Sequence, residues 1–514
     1  MKIPAWRLIV VFFAVLISAA ATGCSSSAAA RIEREPLTVL RNPQRPLRER
    51  EEAADAAWKQ AEKSPEDKAA VRATFKEMVW SSSLPPSLRA KLYKHLASDP
   101  DPESIEDTRK LTRLMIPREP SREMELTLCQ TAGAKGWKDC IPALIRSYSR
   151  PVPLVKDEDR AERIALIQLS DGTPLVETVF AVFLNPPDED PDSPADFRAR
   201  TRADAYDVLG RLDVSGAYRK RLLEDPTLTP GDESVVALLR RGMSQLKVIP
   251  ISGEELRWLE RLADPKNARN AAWWSEVQAI VATMPPEKLD GLQIRHLEPV
   301  RVASKYHTDL FAKDRSMLLS ELKTAIGGRK TVQRSNEAQG IVKAAKEQVD
   351  VWEHGLSWPD LLTIALLDRS VRQKDFVERI YVYVGLDRED TTTEYGGLIL
   401  TTQNVGDGKA TSGDPGKVVA WLFPPRPGQR PNDTEFVAPE EMILSSDRAI
   451  SHFHFHVHRP RNSDVAGPSA GDLAYAARSG RDCLVFTSLG TDELDVDYYQ
   501  PNGVVVDLGT ILKK

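Results

Sequence analysis

The run Ser451-His452-Phe453-His454-Phe455-His456-Val457-His458 constrains this chain more than any other segment. Imidazole and apolar side chains alternate strictly along it. That period of two fits a β-strand, whose successive side chains point to opposite faces. His452, His454, His456 and His458 therefore share one face, with Phe453, Phe455 and Val457 on the other. The apolar face anchors the strand in a core and the imidazole face is left to do chemistry. Alternate strand residues lie ~6.6–6.8 Å apart, so two imidazoles can converge on one zinc ion with bonds of ~2.0–2.1 Å. Half of the eight histidines in 514 residues fall in this one strand.

The sequence around it has the texture of an α+β domain with a mixed β-sheet. After a helical segment at Trp358–Leu367, strand-like runs follow at Arg379–Val384, Tyr395–Thr401, Val418–Phe423, Ile450–Val457, Cys483–Thr487 and Val504–Leu508. Asp495–Tyr499 and Val504–Leu508 flank Asn502-Gly503, the signature of a tight hairpin turn. Ser469–Ala477 reads as a helix, with Ser469 as N-cap and Asp472 at the third helical position. Asp472 can then turn its carboxylate back toward the histidine strand. Glu394 opens the strand Thr393-Glu394-Tyr395-Gly396-Gly397-Leu398-Ile399-Leu400, where the two glycines permit close backbone approach.

Glu394-x-Gly-Gly-Leu-x-Leu, His456-x-His458 and Ser469-x-x-Asp472, in that order, resemble the JAB/MPN family of zinc metalloproteases and its JAMM motif. The resemblance covers residues 375–514 and implies an enzyme, a zinc metallopeptidase that cleaves peptide or isopeptide bonds. Carried over, His456, His458 and Asp472 bind zinc, Glu394 activates the zinc-bound water, and Ser469 hydrogen-bonds the reacting oxygen. His454 is an alternative ligand, since His454-x-His456 has the same spacing. The sequence departs from the family in two places: His458 is followed by Arg459-Pro460 rather than directly by Pro, and ten residues separate it from Ser469, a longer spacer than usual.

The preceding half is helical. Arg89–Leu96, Ala161–Leu169, Thr201–Leu212 and Glu254–Leu262 carry apolar residues at three- and four-residue spacing. Breaks recur at Asp99-Pro100, Pro186-Pro187, Asp225-Pro226 and Asp264-Pro265. The last three follow one another at steps of 40 and 39 residues, a period matching HEAT-like helical repeats. His95, His296 and His307 are isolated and Trp273-Trp274 reads as packing. The acidic stretch 188–196 lacks the spacing of a calcium loop. This array is expected to present substrate or dock a protein partner.

At the N-terminus, Lys2 and Arg7 precede the apolar run Leu8–Ile17, and small residues lead to Ala21-Thr22-Gly23-Cys24. This layout is that of a secretory signal, and its end resembles a bacterial lipobox, which implies lipidation at Cys24. Ser25 after the Cys implies the outer membrane as the destination within the cell envelope. The expected organisation is multidomain: a signal peptide at 1–23, a tether at 24–50, an all-α repeat array at 51–310, a helical connector at 311–374 and the JAB/MPN-like domain at 375–514. Lys+Arg number 70 and Asp+Glu 75, for a net charge of −5, which argues against a nucleic-acid partner. Export would bring Cys129 and Cys140 within an oxidising compartment, where a disulfide can form. Two other readings compete with the membrane-anchored hydrolase: a non-catalytic envelope scaffold with a JAB-like fold, and a metal-delivery lipoprotein using all four histidines.

Overall fold

A computed structural model describes residues 28–150, 152, 155–187, 196–226, 233–332, 347–405 and 414–513. The signal segment, Cys24 and nearly all of the acidic stretch lie outside the described residues. The chain forms two compact units, divided between Val208 and Leu209.

The first unit is a succession of helices: α1 (Pro36–Arg41), α2 (Leu47–Ala61), α3 (Pro65–Trp80), α4 (Pro86–Ser98), α5 (Pro102–Met115), α6 (Arg122–Ala134), α7 (Ile141–Ser149) and α8 (Ala161–Leu169), followed by further helices. Proline sits in the first turn of α3, α4 and α5, where its missing N–H costs nothing. Ser64 and Ser121 cap α3 and α6 through their hydroxyls. Alternate helices pack on one another, α2 on α4, α4 on α6 and α6 on α8, while neighbours also touch. Each apolar face is thus buried against the next pair. Part of the expected tether is packed: α1 lies within it, and Val39 and Leu40 are buried. Arg50 donates to the Leu40 carbonyl at 2.9 Å, which ties this segment to α2. Cys129 and Cys140 are buried free thiols. No helix among the described residues is long and apolar enough to cross a membrane.

The second unit holds a seven-stranded mixed sheet. Its strands are β1 (Gly396–Thr401), β2 (Val418–Leu422), β3 (Ser451–His456), β4 (Cys483–Ser488), β5 (Glu493–Tyr499), β6 (Val505–Asp507) and β7 (Ile511–Leu512), in the order β2-β1-β3-β4-β5-β6, with β7 on β5. Only β3 and β4 run parallel, and α12 (Ala470–Ser479) lies in the crossover between them. Gly503 closes the β5–β6 hairpin at φ +85°, a conformation that glycine reaches without strain. Phe453, Phe455, Leu484, Phe486 and Val496 fill one side of the sheet.

Two sequence expectations change here. Arg379–Val384, read as a strand, belongs to helix α11 (Lys374–Glu389). Its run of β-branched and aromatic residues mimics a strand, but Phe376, Val377, Ile380, Tyr381 and Val384 are buried at helical spacing. The second compact unit begins at Leu209, within the span 51–310 read as the helical array. Helix α9 (Gly253–Ala263) is joined to the sheet region by Trp258, whose indole N–H donates to the Asp447 carbonyl at 2.9 Å, and by Arg261, which pairs with Asp447 at 2.8 Å. Arg295 binds Asp482, Asp360 and Gln500 in a buried network that includes helix α10 (Trp358–Val371). Texture alone assigns residues 209–310 to the helical array, whereas these buried polar contacts make them part of the sheet's surroundings.

Candidate metal centre

The β1–β3 register sets Gly396 opposite His454, and Leu398 opposite His452. Paired residues project on the same face, so Glu394, just before β1, approaches the histidine face from the neighbouring strand. His454, His456 and Glu394 are all buried, and their ligand atoms lie within 4.8 Å of one another. The Nε2 atoms of His454 and His456 are 3.2 Å apart.

Asp472 reaches the same point from α12. Ser469 accepts the Asp472 backbone N–H at 3.2 Å, and Asp472 Oδ2 accepts the Ser469 N–H at 2.6 Å, a reciprocal capping box. The cap fixes the carboxylate toward the strand, with Oδ1 3.2 Å from His454 Nε2 and Oδ2 3.5 Å from His456 Nε2. Burial opposes ionisation of Asp472, but the two imidazoles outweigh it and hold the carboxyl well below the usual carboxylate range.

The outer ring nitrogens are also held. His456 Nδ1 lies 3.1 Å from the Val465 carbonyl, and His454 Nδ1 lies 3.4 Å from the Tyr499 hydroxyl. A ring N–H donated to the Val465 carbonyl leaves the His456 Nε2 lone pair facing inward, as a ligating imidazole requires. Phe436 stacks on His454 with ring centroids 6.3 Å apart and planes 9° from parallel. Gly396 makes room for it, because a Cβ there would come within 2.7 Å of the Phe436 ring.

Bonds of ~2.0–2.1 Å at tetrahedral angles put donor atoms about 3.3–3.4 Å apart. The observed separations of 3.2, 3.2 and 3.5 Å match those edges. Two imidazoles and one carboxylate are also the donor set of catalytic zinc sites, which leave a fourth position open. These residues therefore fit the metal that the sequence suggests. Burial, opposed by His456 and reinforced by the Asp472 charge, pushes Glu394 up to about 8.

The histidine strand contributes its middle pair. β3 ends at His456, whose last ladder partner is Thr487 on β4. His458 lies beyond that end, half-buried, and outside the cluster that gathers Glu394, His454 and His456. The pair that the structure brings together is thus His454 and His456, the alternative that the sequence offers beside His456 and His458. At the other end, His452 is packed against α12, its Nδ1 2.8 Å from the Tyr475 hydroxyl, and burial drives it to the neutral form. Sequence reasoning did not find Phe436 or Tyr499. Phe436 lies in an aperiodic stretch with no signal, whereas Tyr499 follows once β5 is set in register beside β4.

No protein-family model, curated protein or solved structure matches this chain.

Proposed function

We propose that the sheet-bearing region is a zinc-dependent hydrolase of the JAB/MPN (JAMM) type that cleaves peptide or isopeptide bonds, carried on a lipid-anchored protein of the bacterial cell envelope. The observation that carries this reading is the convergence of His454, His456 and Asp472 on one point with tetrahedral edge lengths, and Glu394 buried beside it. Relative to the family pattern, the pair shifts to His454-x-His456, which lengthens the spacer before Ser469 to twelve residues.

In this reading His454, His456 and Asp472 hold the metal. When bound, zinc supplies a Lewis acid and lowers the pKa of a coordinated water to roughly 7. Glu394, buried beside that point, is placed to take up a proton as the carboxylate and return it to the leaving amine. Ser469 accepts from the Asp472 N–H, so its own hydrogen is free to turn to the reacting carbonyl oxygen. Phe436 shields His454 from bulk water, which strengthens every charge interaction inside.

The lipid anchor at Cys24, the outer-membrane destination and a HEAT-like array presenting substrate complete the proposal. They rest on the lipobox-like segment, the step between proline breaks and the alternate packing of α2, α4, α6 and α8. Metal delivery by all four histidines is disfavoured, because His452 is locked on Tyr475 and His458 stands apart. Metal analysis of the purified protein tests the centre. One zinc per chain is expected, lost in His454→Ala/His456→Ala and kept in His458→Ala. Zinc lost with His458→Ala but retained without His454 would overturn the assignment.

A further inference from the structure

The histidine row has a counterpart on the same face of the sheet. His456 pairs with Thr487, and Thr487 pairs with Asp495; His454 pairs with Val485, which pairs with Asp497, which pairs with Asp507. Because paired residues share a face, β5 and β6 present three carboxylates on the side that carries the imidazoles, beginning two strands away. Asp495, Asp497 and Asp507 are all buried, and their ligand oxygens lie within 4.8 Å of one another.

Two further observations point to a ligand there. Both carboxylate oxygens of Asp495 are buried without a hydrogen-bond partner, and the residue is 0% exposed. The hydroxyl of Thr487, its cross-strand neighbour, is likewise buried and unpartnered at 0% exposure. A donor and an acceptor thus stand side by side on one face without bonding each other. Asp507 is oriented from behind, its Oδ1 accepting from Gly509 N–H at 2.6 Å and its Oδ2 from Val332 N–H at 3.0 Å. Lys330 binds Glu493, and Arg372 binds Asp368 and the carbonyls of Leu508 and Thr510, so neither forms an ion pair with Asp495. A buried carboxylate such as Asp495, left without a hydrogen-bond partner, is costly to keep charged unless a cation joins it.

The geometry points to a second cation site, separate from the imidazole centre, in which Asp495, Asp497, Asp507 and the Thr487 hydroxyl bind a hard divalent cation. The donors are all oxygen, the set preferred by calcium and magnesium rather than zinc. Calcium accepts oxygen ligands in a flexible geometry, whereas magnesium demands a near-ideal octahedron, so carboxylates fixed by strand register suit calcium better. A cavity of about 250 Å³ lined by Asp507, Glu347, Thr331 and Asp350 adjoins the cluster at Asp507. The ion would fasten β6 to β5 and so hold the end of the sheet.

The test uses the purified protein carrying His454→Ala/His456→Ala, stripped with chelator, so that the imidazole centre contributes nothing. Titration with Ca²⁺ alone is followed by calorimetry and by thermal unfolding, with Mg²⁺ alone as a parallel arm. One Ca²⁺ per chain and a rise in melting temperature are expected. Asp495→Asn/Asp497→Asn on that background should weaken binding by at least about tenfold, because affinity follows ligand charge. The same change should leave the chelated form no less stable, since like charges are removed. Thr487→Val, a milder change, should weaken Ca²⁺ binding without altering the fold. A response to Mg²⁺ alone would support the site with magnesium as its occupant. No response to either ion, or a response unchanged by both variants, would overturn it.

Discussion

Two clusters of acids gather at one face of one sheet, and they differ in what accompanies the carboxylates. At β1 and β3, Glu394 and Asp472 meet two imidazoles, neutral donors that can ligate a borderline metal. At β5 and β6, Asp495, Asp497 and Asp507 meet one another and a threonine hydroxyl. The same sheet therefore carries two different donor sets on one face, set by the choice of side chain along the ladder. Burial raises Glu394 in the first cluster and Asp495 and Asp507 in the second, but only the imidazole cluster pulls one of its acids, Asp472, down.

The sharpest break of that contrast is Glu394→Gln. The amide keeps the shape and loses the proton-transfer function, so hydrolysis should fall by roughly 10²–10⁴-fold while one zinc per chain remains. Turnover that survives the change would make Glu394 one more buried acid, like those of β5.

A single buried carboxylate serves as the reference for both clusters. Glu255 on α9 is buried, accepts from Ile251 N–H at 2.8 Å and leaves Oε1 unpartnered. Burial pushes it up to about 7 from 4.5, against the pull of Arg295, Arg219 and Arg481. Its folded pKa lies above its unfolded one, so the folded state binds the extra proton. Its contribution to stability is full below pH 4.5, falls as pH rises to about 7 and is flat above that. The loss amounts to on the order of 3 kcal/mol. Glu255→Gln keeps the acceptor and removes the titration. Urea unfolding at pH 5 and pH 8 should show a pH-dependent loss in the parent that is smaller in the variant by Glu255's share; parallel losses would reject the account.

The smallest effect is expected from Ser469→Ala. Removing the cap of α12 should cost about 1 kcal/mol in unfolding free energy and loosen the grip on Asp472. Zinc affinity should drop while Ca²⁺ binding at Asp495 is untouched. An equal loss at both sites would mean that the clusters are coupled through the sheet.

Much of the imidazole centre was legible in the sequence because its signals are local. The alternation of residues 452–458 fixes a strand and a face, and Ser469-x-x-Asp472 fixes a capped helix and the direction of its carboxylate. The choice of histidine pair was not legible, because alternation continues through His458 while the ladder stops at His456. Where a strand ends depends on its partners, and those lie far along the chain. The acid cluster shows the same limit. Asp495-x-Asp497 alternates as plainly as the histidines, yet Asp507 joins it only through the β5–β6 register. The helical half was readable in its breaks, with helices ending at Asp99, Asp225 and Asp264. The extent of the second unit was not, since it depends on buried contacts such as Trp258 with Asp447.

The parallel pairing of β3 with β4 also sets an order of events. An antiparallel neighbour can zip from a short turn, but a parallel one forms only after the whole crossover has looped back, a slow step because chain entropy is lost before contacts repay it. Asp472 rides in that crossover and Glu394 sits on another strand, so the four side chains are strangers until both pairings are made. The full four-residue cluster is therefore assembled only when both pairings are complete, so its formation reports the completion of this part of the fold.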